Sequence, residues 1–139
     1  MNSSGFLLDT GPLVALLAKA DQNHEEAKAL FSKFQPPFRT CEAVLTEACF
    51  LLGRFFPQGP ESIITLGKDK LFEIGIHLEE DWSSLQALLN KYRDHPISLA
   101  DACLIRCAEI HNEPRILTFD SDFEFYRWGR NKKFEVLKS

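Results

Sequence analysis

The sequence predicts an α/β fold in which a mostly parallel sheet is covered by helices on both faces. Two observations carry this. Short apolar runs alternate with amphipathic helical stretches along the chain, the pattern of strand–helix–strand units. Two of those runs, Phe6-Leu7-Leu8 and Ile116-Leu117-Thr118-Phe119, end on an aspartate where the chain turns, Asp9 and Asp120. In open α/β sheets the ligand site lies outside the carboxyl ends of the strands. At 139 residues the chain is expected to form one domain, 1–139, with one good core.

The first strand is Phe6–Leu8. A helix is expected from Pro12 to about Lys19, with proline in the first turn, where its missing N–H does no harm. Asn23 suits the N-cap of a second helix, whose Ala27, Leu30, Phe31 and Phe34 recur at helical spacing until Pro36-Pro37 ends it. Phe38–Thr40 is a short strand, and Glu42–Leu52 is a helix that stops at Gly53. Gly53–Pro60 is expected as a loop, Glu61–Leu66 as a short helix and Phe72–Leu78 as a strand. Glu80–Tyr92 is amphipathic, with Trp82, Leu85, Leu88 and Leu89 inward. Ser98 caps a helix through His111, and strands follow at Arg115–Phe119 and Phe134–Leu137.

Composition excludes several classes. With 45% hydrophobic and 26% charged residues the chain has the make-up of an ordinary globular protein. Its apolar stretches are too short to span a bilayer, and its Met-Asn-Ser-Ser-Gly opening lacks the pattern of a secretory signal. A cytoplasmic protein is expected, its four cysteines reduced and buried rather than metal-bound. A net charge of −4 argues against a simple polyanion binder, but the charge is uneven. From Tyr126 to Ser139 five basic residues face one acid, Glu135, so this tail carries +4. Arg127, Arg130, Lys132 and Lys133 are candidate RNA contacts, at the carboxyl edge or reaching it across a dimer, with a plain solvated surface as the alternative.

Four acids stand at junctions or inside apolar runs: Asp9, Glu47, Asp101 and Asp120. Each has a structural reading beside the chemical one. Asp9 can cap the following helix. Glu47, among Val44, Ala48 and Leu51, is expected on or beside the buried stripe, where a carboxylate needs a metal or an arginine partner. Ser98-Leu99-Ala100-Asp101 matches a capping box. Asp120 and Asp122, either side of Ser121, suit a turn. Together at one sheet edge they point elsewhere, because gathered carboxylates stay ionised only with a cation nearby. Oxygen-only ligands favour Mg²⁺ or Mn²⁺, and the chemistry such ions support is phosphodiester hydrolysis. Asp9, Glu47, Asp101 and Asp120 are the candidate catalytic and metal-binding residues, with Asp122 a weaker ligand. Thr10, Thr118 and Ser121 are placed to position water or to hydrogen-bond those acids.

Leu8-Asp9-Thr10-Gly11-Pro12-Leu13-Val14-Ala15 resembles the opening of PIN-domain nucleases. Val44-Leu45-Thr46-Glu47-Ala48, Ser98-Leu99-Ala100-Asp101-Ala102 and Leu117-Thr118-Phe119-Asp120-Ser121-Asp122-Phe123 are similar to that family's later acidic motifs, in the same order. The toxins of VapBC-type toxin–antitoxin pairs are the nearest look-alikes. The resemblance implies a three-layer α/β/α fold with a five-stranded parallel sheet. It also implies a Mg²⁺- or Mn²⁺-dependent endoribonuclease acting on single-stranded RNA, a homodimer, and a small antitoxin that blocks the site. Asp94, before His95-Pro96, resembles a further family acid but equally suits a turn. Against this stand a catalytically silent PIN-domain RNA-binding or regulatory protein, an aspartyl phosphatase and a structure-specific DNA nuclease. The phosphatase reading lacks a second acid in Asp9-Thr10-Gly11, and the DNA nuclease lacks helical insertions. Phe55, Phe56, Pro57 and Pro60 suit either core packing or a contact surface, and the family likeness favours the contact.

Overall fold

A central two-residue strand organises the molecule, seen in a computed structural model that describes residues 5–139. The polar opening at residues 1–4, read above for a signal, lies outside them. β1 (Leu7–Leu8) pairs in parallel with β2 (Phe38–Thr40) on one side and β4 (Arg115–Leu117) on the other. β3 (Phe72–Ile74) extends the sheet beyond β2, and β7 (Glu135–Val136) extends it beyond β4. The order is β3-β2-β1-β4-β7, all parallel. Connections leave β1 first toward β2 and later return to its other side at β4. The switch point between β1 and β4 is where such sheets open a crevice.

Alternation sorts the strands between two cores. Phe6 and Leu8 pack with Leu13 and Val14 of α1 (Thr10–Leu17) and Leu30 of α2 (His24–Lys33). The same core takes Ala48 and Leu52 of α3 (Glu42–Leu52) and Ile63 of α4 (Gly59–Lys68). Leu7 points to the opposite core, with Leu85 and Leu88 of α5 (Trp82–Lys91) and the apolar face of α6 (Leu99–His111). The three layers expected from the sequence are present.

Several boundaries differ from expectation, each for a local reason. α1 begins at Thr10 because Asp9 caps it, and Asn23 stands at the N-cap of α2 without a side-chain bond. α4 starts two residues early, at Gly59, which packs against Leu52; a Cβ there would meet the Leu52 Cβ at 2.8 Å. β3 stops at Ile74, since the Gly75 carbonyl turns to His111 Nε2 (2.8 Å) instead of a strand. On α5 only Leu85 and Leu88 face inward; Trp82 and Leu89 are exposed, 60% and 41%. The sequence reading missed an antiparallel hairpin, β5 (Arg127–Trp128) and β6 (Lys132–Lys133), turned at Gly129 with φ +57°. All four cysteines are free thiols, three of them buried. Among the described residues no helix is long and apolar enough to cross a membrane.

Candidate active site

Asp9 is positioned by the end of β1 and the start of α1. Its N–H donates to the Leu117 carbonyl (3.0 Å), extending the β1–β4 ladder past the last strand residue. Its Oδ1 accepts the Thr10 N–H (2.8 Å), which caps α1. Its Oδ2 accepts the Thr118 hydroxyl (2.7 Å). That hydroxyl also accepts the Asp120 N–H (3.0 Å), so one threonine ties the ends of β1 and β4 together. Asp120 Oδ1 in turn accepts the Asp122 N–H (2.9 Å) and opens a single 3₁₀ turn over Ser121–Glu124. The turn and capping readings of these acids therefore hold as local structure. Neither uses up the carboxylates.

Asp101 sits in the first turn of α6. Its N–H donates to Ser98 Oγ (3.0 Å), but its carboxylate does not turn back to the cap as a full capping box would. Oδ2 instead accepts the Tyr126 hydroxyl (2.9 Å). Tyr126 is buried between Phe123 and Tyr92, and nothing in its sequence neighbourhood marks it as a partner of an acid 25 residues away.

Glu47 corrects an expectation. Val44, Ala48 and Leu52 form the buried stripe of α3, and Glu47 lies about 100° round the helix from its centre. It is exposed, and among the described residues it pairs with no arginine or lysine. It lines the same cleft as the other three acids. That cleft, of 420 Å³, is walled by Asp9, Thr10, Glu47, Asp101, Phe119 and Asp120, with no basic side chain in its lining.

The electrostatics follow from this crowding. Burial pushes the Asp9 carboxyl up to about 6, Asp120 and Glu47 add to the rise, and the bonds from Thr118 and Thr10 oppose it. Asp101 is likewise pushed up to about 6, by burial and then by Asp9, Asp120 and Asp122, against the bond from Tyr126. Glu47 is raised by partial burial of its carboxylate and by Asp101 and Asp120. Among the described residues no three acidic, imidazole or thiol side chains are close enough to enclose one ion as they stand. The donor set still fits a hydrated cation. It offers carboxylates of raised pKa around one hollow and the buried Thr10 hydroxyl, which has no protein partner. Mg²⁺ keeps several waters and binds through one or two carboxylates, which suits acids spread around a cleft.

The remaining candidates lie outside this cleft. Asp122 Oδ1 is 3.8 Å from His95 Nε2 and is not part of the lining. Ser121 is exposed beside Asp120, and Asp94 is exposed in the turn before α6. Among the described residues, no basic side chain of the hairpin lines the cleft. The hairpin tip is held by the Gly129 N–H on Glu109 Oε2 (2.9 Å), two helical turns along α6 from Asp101. The Arg127 guanidinium donates to the carbonyls of Glu124, Phe125 and Tyr126, and the Lys132 ammonium lies 4.8 Å from the Trp128 ring centre. Arg130 and Lys133 are exposed.

Comparison with known proteins agrees with the sheet. No curated protein matches the chain by sequence. Among solved structures, the chain is similar to VapC20 of Mycobacterium tuberculosis, described as a sarcin-ricin loop cleaving toxin. The TM-score is 0.67 at 25% identity, over 86% of this chain and 92% of that one. The model of the PIN domain matches residues 6–129, a span that holds every acid of the cleft together with Thr118 and Tyr126. The chain belongs to the PIN-domain family, with the fold of its VapC-type members.

Proposed function

We propose that this protein is a Mg²⁺- or Mn²⁺-dependent endoribonuclease that hydrolyses phosphodiester bonds of single-stranded RNA. In this reading it is the toxin of a VapBC-type pair, a cytoplasmic homodimer held in check by a small antitoxin. The observation that carries the reading is the 420 Å³ cleft at the carboxyl edge, walled by four carboxylates and, among the described residues, by no basic side chain. A divalent cation bound there supplies the charge that screens a phosphate and the Lewis acidity that activates water. Asp9, Glu47, Asp101 and Asp120 are the residues that would hold it. The chain's own part is positioning. Thr118 fixes Asp9 and the Asp120 backbone through one hydroxyl, and Tyr126 fixes Asp101. Glu47, with no bond to another side chain among the described residues, is free to orient the attacking water. The likeness to VapC20, a sarcin-ricin loop cleaving toxin, supports the reading as a toxin that cleaves.

The test is cleavage of an unstructured RNA with Mg²⁺, with Mn²⁺ and in chelator. Asp9→Asn, Glu47→Gln and Asp101→Asn are each expected to lower cleavage by about a hundredfold or more while the protein stays folded. Cleavage that persists in chelator, or any one variant within a few-fold of wild type, counts against the mechanism. RNA binding without cleavage by the wild type would favour a silent regulatory protein instead.

A further inference from the structure

A second hollow, of 300 Å³, adjoins the acidic cleft on the β7 side of Asp120. Asn23, Ser121, Glu124 and Lys138 line it, and it shares Phe119 and Asp120 with the cleft, so the two form one groove along the carboxyl edge. The Phe119 ring stands at the junction, set against α1: a Cβ on Gly11 would lie 3.3 Å from its Cδ2. The sheet delivers Lys138 to this place. β7 pairs with β4 in parallel, Val136 beside Ile116, and the Leu137 N–H donates to the Ile116 carbonyl (3.0 Å). β7 ends at Val136, and two residues further on Lys138 lines the hollow together with Thr118. The backbone there is tied down. Lys33 Nζ donates to the Lys138 carbonyl (3.1 Å), and Ser139 Oγ donates to Glu26 Oε1 (2.6 Å).

Among the described residues Lys138 is the only cation lining either hollow, and its ammonium pairs with no carboxylate. The hollow itself stays acidic through Asp120 and Glu124, which disfavours a small free anion. It suits a whole nucleotide better. The Asn23 amide, not engaged in capping α2, offers a donor and an acceptor to a base edge. The half-buried Phe119 lines both hollows, and single-stranded nucleic acid is held by aromatic stacking together with a cation on its backbone. No hairpin cation is among the residues that line the hollow, and the Arg127 guanidinium is taken up by the carbonyls of Glu124, Phe125 and Tyr126.

We infer that this hollow is the subsite for the nucleotide next to the cleaved bond, with Lys138 on that nucleotide's phosphate and Phe119 and Asn23 against its base. The inference rests on the nuclease reading above. The experiment is steady-state cleavage of a single-stranded oligoribonucleotide with one mapped site, at several salt concentrations, by wild type, Lys138→Ala and Lys138→Arg. Lys138→Ala is expected to raise KM about three- to tenfold with kcat within about twofold. The dependence of log KM on log salt should flatten by about 0.7, the increment for one single-strand phosphate contact. Lys138→Arg should stay near wild type. On a substrate trimmed of the nucleotide flanking the cut on one side, wild type and Lys138→Ala should become equal. An active wild type with unchanged KM and salt slope in Lys138→Ala overturns the subsite, as does a loss confined to kcat. A wild type that cleaves no RNA overturns the nuclease reading, and is seen before the variants are compared.

Discussion

Thr118 and Tyr126 are the residues through which this fold holds its acids. The Thr118 hydroxyl donates to Asp9 Oδ2 and accepts the Asp120 N–H, both at the buried end of the cleft. Thr118→Val keeps the shape and removes both bonds, leaving a buried carboxylate oxygen without a donor. The expected cost is about 1–3 kcal/mol, and Asp9 should hold its proton to higher pH. Tyr126→Phe takes away the bond that lowers the Asp101 pKa, so that carboxyl should titrate higher than about 6. Because the proposed chemistry needs Asp101 ionised, the acidic limb of the pH–rate profile should move to higher pH. The stability cost should be only about 0.5–1.5 kcal/mol. Thermal melts and pH–rate profiles of both variants read these effects. A Tyr126→Phe profile that overlays wild type would reduce the tyrosine to packing.

At the scale of the element, the turn after α3 divides what the sequence presented as one apolar loop. The N–H groups of Phe55 and Phe56 both donate to the Leu52 carbonyl, at 2.9 and 3.1 Å, so the chain folds back over the helix end. Phe56 then packs against the core shared by β1, α1 and α3, whereas Phe55 is 40% exposed. Replacing the two should therefore give different results. Phe56→Ser is expected to lose about 1–3 kcal/mol of stability, less than a fully buried phenylalanine would. Phe55→Ser should stay within about 0.5 kcal/mol of wild type, and any change in self-association belongs to it alone. Melts beside light-scattering sizes separate the two, and a Phe56→Ser variant as stable as wild type would return both rings to the surface. The hairpin shows the same lesson. Its basic residues read as one RNA-binding run, but antiparallel pairing of Arg127 with Lys133 spreads them around a tip anchored on Glu109.

For the whole molecule, the acidic cleft is expected to make stability depend on pH, and the proposed cation would add a dependence on divalent ions. Asp9 and Asp101 are both raised from 3.8 to about 6 in the folded protein. Between those values the folded state binds more protons than the unfolded state, so stability falls as pH rises through this window. In chelator the melting temperature should be higher at pH 5 than at pH 7.5. Each raised carboxyl contributes on the order of 1–3 kcal/mol to that difference. Added Mg²⁺ or Mn²⁺ should recover stability at pH 7.5 and do little at pH 5, where protons compete. Asp9→Asn should flatten the chelator profile, since the amide carries no charge to suppress. A melting temperature that climbs steadily from pH 5 to 7.5 in chelator would show that the acids are not crowded in solution.

The order of residues determined a great deal by itself. An apolar run that ends on Asp9 before a proline-bearing helix start, and another that ends on Asp120 before a turn, are local statements about where strands stop. Parallel sheets then bring such ends to one edge. That logic placed the five strands of the parallel sheet, the helices α3 and α6, and the cleft acids, but not the β5–β6 hairpin. It could not place what depends on partners far apart in the chain. The Thr118–Asp9 bond closes 109 residues and the Tyr126–Asp101 bond closes 25. The exposure of Glu47 was misjudged because apolar neighbours do not say which way a helix is rolled against its sheet; the packing of Val44, Ala48 and Leu52 decides that. Lys138 looked like one of five tail cations, and only the pairing of β7 with β4 brings it to the hollow that Thr118 and Asp120 line. Strand ends are fixed by short-range hydrophobic pattern and turn chemistry, whereas the partners of a side chain are chosen by pairing and packing between distant segments.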